Sequence, residues 1–280
     1  MLKTNYHTHS TFCDGNDTPE QMARTAWERG FSVLGFSSHS MYPFASTWHI
    51  ESRQHQAYAD EIRRLRAAYA GKMEILLGFE ADYIPSISPA HIRQFEQFSP
   101  DFIIGSVHYI FTKDGNFTID DSTENVRQGI DTLFAGNGRN VVCEYFALQR
   151  EMLKTGKFTI WGHPDVIRKR NGQLHFFDET DSWYVQELKA TAAQAAKAGI
   201  IAEINTGGIA RGAIDDVYPS AAFLQILHDN HVPVTLSSDA HSAKDIDCAF
   251  DRALAAAKHA GYTEIQYISG GQICCQPLKA

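Results

Sequence analysis

The chain has 280 residues, 44% of them hydrophobic and 21% charged, enough for one large α/β barrel or two ordinary domains with a sizeable core. A formal net charge of −8 argues against a nucleic-acid strand or an anionic membrane surface as partner. No apolar run reaches the ~20 residues needed to span a bilayer, the first residues carry no signal-peptide core, and five cysteines without zinc-finger spacing read as free thiols, so a cytoplasmic protein is expected.

Short apolar runs alternate with longer amphipathic ones along the chain. The first run, residues 2–6, reads as a strand ending on His7-Thr8-His9, whose i, i+2 spacing turns both imidazoles to one side, with Asp14 a few residues later. Thr18 as N-cap and Pro19 at the first helical position open a helix that should turn Met22, Ala26 and Trp27 inward. A strand over 32–36 leads to His39. Residues 53–69 then carry Ile62, Leu65 and Tyr69 at helical spacing, with Gly71 as C-cap. Strands over 75–79 and 102–106 deliver Glu80 and His108. Here the pattern changes: 126–133 and 141–153 read as consecutive helices split by Gly136-Asn137-Gly138, an insertion of the kind that builds substrate pockets. The alternation then resumes with a strand over 158–162 ending at His163 and a helix over 181–198. A strand over 200–204, a helix over 220–230, a strand over 232–237 ending at Asp239 and His241, and a helix over 243–260 complete it.

Seven strand–helix alternations imply parallel strands with right-handed crossovers. An open doubly wound sheet would concentrate its site at one switch point. Because chelating residues follow nearly every strand, the expected fold is a distorted (β/α)7 TIM-like barrel, one domain over 1–280, with its site at the C-terminal ends of the strands.

A single histidine after a strand is ordinarily a hydrogen-bonded loop residue, but a ring of nine chelating side chains is not. His7, His9, Asp14, His39, Glu80, His108, His163, Asp239 and His241 would converge at one barrel mouth. Six crowded imidazoles cannot all be protonated beside three carboxylates; divalent metals resolve the conflict, since they require neutral imidazole and ionised carboxylate. Imidazole and carboxylate without thiolate suit Zn, Mn or Fe, and nine ligands suit three ions. The residual positive charge would attract a phosphate dianion. Cys13 is not expected to ligate. The other histidines (His49, His55, His91, His175, His228, His231 and His259) read as solvated or capping residues.

These residues resemble the polymerase-and-histidinol-phosphatase (PHP) superfamily of metal-dependent phosphoesterases. The motifs are His7-Thr8-His9, Ser38-His39, Gly78-Phe79-Glu80, Gly105-Ser106-Val107-His108, Gly162-His163-Pro164-Asp165 and Ser238-Asp239-Ala240-His241. Within the superfamily, Glu203-Ile204-Asn205-Thr206-Gly207-Gly208 with Arg211, the length and the helical excursion look most like the stand-alone histidinol-phosphate phosphatases. The resemblance implies one metal on His7, His9, Glu80 and Asp239, a second on Glu80, His108 and His163, and a third on Asp14, His39 and His241. Asp14 stands where some relatives have histidine.

The resemblance further implies hydrolysis of a small phosphate monoester, L-histidinol phosphate, by a metal-activated hydroxide. Glu80, Asp239 and His241 would form the catalytic centre, with either the last two or a metal-bound water passing a proton to the leaving alkoxide. Arg168 and Arg211 are the expected phosphate clamps, with Arg170 as substitute for the first, because guanidinium meets phosphate bidentately. Asp165, Glu203 and Tyr109 would face the substrate's amine and imidazole. An amidohydrolase would use a carboxylated lysine where Glu80 stands. A nuclease would want a basic groove, and a metal-stabilised accessory domain would show lost ligands beside a polymerase.

Overall fold

The computed structural model describes residues 2–278, so residues 1, 279 and 280 of the domain expected over 1–280 lie outside the described residues. Seven parallel strands pair in the order of the sequence: β1 (Thr4–Asn5), β2 (Val33–Phe36), β3 (Glu74–Ile84), β4 (Phe102–Ser106), β5 (Ile160–Trp161), β6 (Ile201–Asn205) and β7 (Val234–Ser237). The seam between β7 and β1 is closed by side chain and bridge. Asn5 Nδ2 donates to Ser238 Oγ at 2.6 Å, Asn5 Oδ1 accepts the Ser238 N–H at 3.1 Å, and Thr8 bridges Ala240 in parallel. The result is a distorted (β/α)7 barrel, as expected.

The longer helices α1 (Pro19–Glu28), α2 (His55–Ala68), α3 (Thr123–Phe134), α4 (Gly138–Thr155), α5 (Ser182–Ala198), α6 (Ala221–Asp229) and α7 (Phe250–His259) surround the strands. Thr18 and Gln21 form a capping box that fixes the start of α1. The phase of α1 buries Met22, Ala23 and Ala26, while Trp27, expected inside, is 46% exposed and lies edge-on to Tyr69. The cap of α2 is Tyr69, with Gly71 (φ +76°) in the turn two residues beyond. The helix expected over 243–260 is broken. Asp17 accepts the Ala243 N–H and Asp247 pairs with Lys3 and Arg29, tying this stretch to the chain around β1 and α1, so a 3₁₀ turn precedes α7. Among the described residues no helix is long and apolar enough to cross a membrane.

One apolar core lies between helices and sheet; a second fills the barrel itself. Side chains alternate faces along a strand, and the inward positions grade from apolar to chelating. On β3 they run Leu76, Gly78, Glu80, Asp82; on β4 and beyond, Phe102, Ile104, Ser106, His108. Gly78 is required by this gradient, since a Cβ there would lie 2.4 Å from the Phe102 ring that fills the barrel. The hairpin Glu264–Ser269/Gln272–Pro277 closes the lower end, with Ile268 in the interior cluster and its backbone bonded both ways to Tyr6 Oη. The polar inward positions, Glu80, Asp82, Ser106 and His108, lie at the opposite, upper rim.

Candidate metal centre

All nine residues expected to chelate meet at that rim. Glu80 is the hub. Its Oε2 lies 2.9 Å from His7 Nε2, 2.7 Å from His39 Nδ1 and 3.6 Å from His9 Nε2, and its Oε1 lies 2.9 Å from His163 Nε2 and 3.5 Å from His108 Nε2. Asp239 Oδ1 sits 3.1 Å from His9 Nε2, 3.7 Å from His7 Nε2 and 3.5 Å from His241 Nδ1. Asp14 stands 3.2 Å from His241 Nε2 and 3.8 Å from His39 Nε2.

The donor atoms fall into overlapping groups, each within 4.8 Å: His9, Asp14, His39 and His241; His7, His9 and Asp239; His7, Glu80 and His163; His39, Glu80 and His108. Buried polar atoms are normally hydrogen-bonded. Here His7 Nε2, His9 Nε2, His39 Nδ1 and Glu80 Oε2 are buried with no hydrogen bond, aimed into shared space. That is the condition a divalent cation satisfies, and the donor set fits one.

The electrostatics point the same way. Burial alone would raise the Glu80 carboxyl, but His39, His7 and His108 outweigh it and hold the group well below the usual range. Burial and then Arg211 and His7 act likewise on Asp239. His9 is driven well below the ordinary imidazole value by burial and by the neighbouring His241 and His39. Backbone strain marks the same positions: His163 (φ +23°) and Asp239 (φ +51°) both adopt left-handed conformations.

Two buried carboxylates support the rings, and sequence reasoning missed or misplaced both. Glu203 accepts from His7 Nδ1 at 2.7 Å, from the His163 N–H at 2.9 Å and from Asn205 Nδ2 at 2.9 Å. It faces the ligands rather than the substrate space expected of it. Asp82 accepts from His108 Nδ1 at 2.5 Å and from His49 Nε2. Its position two residues after Glu80 on β3, on the same inward face, was the available signal. His49 and His55 are accordingly buried, not solvated; His55 Nε2 pairs with Ser40 Oγ at 2.7 Å. His91 does cap, accepting from the Arg93 N–H.

Above the ligands lies a cleft of about 430 Å³, whose outer wall includes Trp48, Asp120, Lys169 and Arg211. Arg211 donates to Asp239 O and Oδ2, each at 2.8 Å, and lies 3.0 Å from His241 Nδ1. Gly207 permits this approach, since a Cβ there would come within 2.7 Å of the guanidinium. Arg168 is placed elsewhere. It is buried against Glu179, Asp216 and Val217 O outside the cleft, and Arg170 is spent on Asp121 O. The turn Val166–Arg170 is 3₁₀, and it is Lys169 whose phase reaches the cleft, 3.0 Å from Asp120. Asp165 is fully buried against the Ser220 N–H, and Tyr109 packs behind Trp48. Cys13 Sγ lies 3.6 Å from His9 Nδ1, its thiol pushed up to about 11 by burial, and belongs to none of the donor groups.

A parallel barrel that gathers imidazoles and carboxylates on its C-terminal rim is the architecture of a metal-dependent hydrolase. The chain belongs to the PHP domain family, whose model matches residues 5–207. It is 28% identical over 247 residues to a probable histidinol-phosphatase of Deinococcus radiodurans, covering 87% of this chain and 88% of that protein. It is 25% identical over 269 residues to the histidinol-phosphatase of Bacillus subtilis, covering 90% and 98%. Among solved structures, the putative histidinol phosphatase of Listeria monocytogenes superposes with a TM-score of 0.79 at 21% identity, covering 89% of this chain and 99% of that one. The histidinol phosphate phosphatase of Lactococcus lactis, solved with zinc, L-histidinol and phosphate, gives 0.69 at 21% identity, covering 97% and 98%.

Proposed function

We propose that this chain hydrolyses L-histidinol phosphate to L-histidinol and phosphate, a step of histidine biosynthesis, in the cytoplasm. The observation that carries the reading is Glu80, a fully buried carboxylate facing five imidazoles with unbonded ring nitrogens around it. Full-length likeness to curated histidinol-phosphatases supports the substrate. Three ions are proposed. His7, His9, Glu80 and Asp239 hold the first, Glu80, His108 and His163 the second, and Asp14, His39 and His241 the third. Zinc in the Lactococcus lactis relative favours that metal, and the donor set also accommodates Mn and Fe.

Bound there, divalent ions supply an acidified water as nucleophile and positive charge against the phosphoryl oxygens. The chain's own residues do the rest. Arg211 commits two of the five N–H donors a guanidinium offers to Asp239, leaving three toward His241 and the phosphate oxygens. Lys169 adds a second cation at the cleft wall. Asp239 and His241, 3.5 Å apart beside Arg211, are the side chains proposed to relay a proton to the leaving oxygen. The phosphate is thus seated deep, and the organic part lies toward Trp48 and Asp120. Assay of the purified protein against a panel of phosphomonoesters tests this: kcat/KM is highest for L-histidinol phosphate. Equal turnover across the panel, or none with this ester, would refute it.

A further inference from the structure

An unbroken hydrogen-bond chain runs from the cleft wall to the metal centre. The Trp48 backbone N–H reaches Ser46 Oγ at 3.4 Å, and Ser46 Oγ meets His49 Nδ1 at 2.6 Å. His49 Nε2 donates to one oxygen of Asp82, and the other accepts from His108 Nδ1. That last bond keeps a proton on His108 Nδ1 and leaves Nε2, which faces Glu80 and His163, as the nitrogen available to a metal. Asp82 and His49 are buried, and the His49 ring lies 3.8 Å from the Trp48 ring, centroid to centroid. Trp48 in turn stands edge-on to His39 at 4.6 Å and to His108 at 5.5 Å. No residue between Trp48 and His108 contacts the cleft except the two ends.

We propose that Asp82 is a two-way positioning residue, which orients His108 for metal with one oxygen and, through His49, fixes the Trp48 wall of the substrate cleft with the other. The inference rests on the reading of the nine rim residues as a metal centre. Metal occupancy and the placement of the aromatic wall are therefore coupled through one carboxylate. Asparagine cannot serve both sides, because it offers one acceptor oxygen where two imidazole N–H groups need partners.

The test is zinc titration against a competing chromophoric chelator, read beside Trp48 emission, taken as wild type minus Trp48→Phe. Wild type binds zinc and its Trp48 emission shifts on loading. Asp82→Asn weakens zinc binding by about 10–100-fold, the range for loss of a carboxylate partner behind a ligating histidine. His49→Phe keeps the ring beneath Trp48 but removes the N–H; it weakens zinc binding by a smaller factor and abolishes the emission shift. His49→Gln, whose carboxamide N–H still donates to Asp82, restores both. The last two variants decide the matter if Asp82→Asn does not fold. Wild-type zinc affinity in both Asp82→Asn and His49→Phe, or an emission shift that persists in His49→Phe, overturns the coupling. A wild-type protein that binds no zinc overturns the metal centre itself and is thereby distinguished.

Discussion

Arg211 joins the metal centre to the substrate cleft, and Arg211→Ala separates its two duties. The guanidinium braces Asp239 Oδ2 at 2.8 Å and faces the cleft with its side chain 32% exposed. Asp239 does not depend on it alone: Asn205 Nδ2 lies 3.3 Å from the same oxygen, and Oδ1 stays turned to His9. Metal content should therefore survive the substitution. The loss falls on phosphate, where a charge-assisted hydrogen bond is worth about 1.5–3 kcal/mol. Partial exposure places the effect toward the lower end. At 1.4 kcal/mol per tenfold, kcat/KM should drop by about 10–30-fold, and inhibition by inorganic phosphate should weaken by a similar factor. Arg211→Lys keeps the charge without the fork and should recover part of the loss. Metal analysis, steady-state kinetics and phosphate inhibition on the same preparations give the answer. Unchanged phosphate inhibition in Arg211→Ala, or loss of metal along with activity, would refute this account of Arg211.

Other perturbations reach the remaining parts of the account. Glu80→Gln removes the charge that five imidazoles share; losing one partner of a buried charge pair costs about 3–5 kcal/mol, so metal affinity should fall at least 100-fold, and chelator competition would show it. In metal-free protein burial pulls His108 down, but Asp82 and Glu80 outweigh it and raise it to about 10; His7 and His39 are also raised. The stability these pairs add is complete below the unfolded imidazole value of ~6.5 and is lost as pH rises through the raised folded values. Metals must displace those protons, so zinc addition at neutral pH should release acid into a weakly buffered solution, and affinity should rise with pH. An affinity flat between about pH 6 and 8 would contradict this. Gly78→Val forces side-chain atoms into the Phe102 ring and should destabilise the barrel by about 1–3 kcal/mol in urea unfolding, with Phe102→Leu relieving part of it.

The strands and the ligand ring were legible because both depend on local patterns. Each ligand follows an apolar run, and parallel strands bring their C-terminal ends together whatever the register. What escaped was set by phase and by distant packing. Arg168 and Lys169 are neighbours, and only the 3₁₀ geometry of Val166–Arg170 decides which reaches the cleft. Glu203 reads in sequence as an acidic residue near a substrate loop, yet β6 turns it inward beneath His7. Trp48 and His49 lie in a stretch without helical or strand periodicity, so nothing in the sequence announces their contact with Asp82. Trp27 shows the limit of amphipathic reading, since it is expected on the inner face with Met22 and Ala26, while the helix phase gives that face to Met22, Ala23 and Ala26.

The most direct test of the central claim joins metal content to turnover in one sample. Protein stripped exhaustively by chelator should release no phosphate from L-histidinol phosphate. Activity should return as divalent metal is added back and level off near three equivalents per chain. Undiminished hydrolysis by the stripped protein would contradict the account.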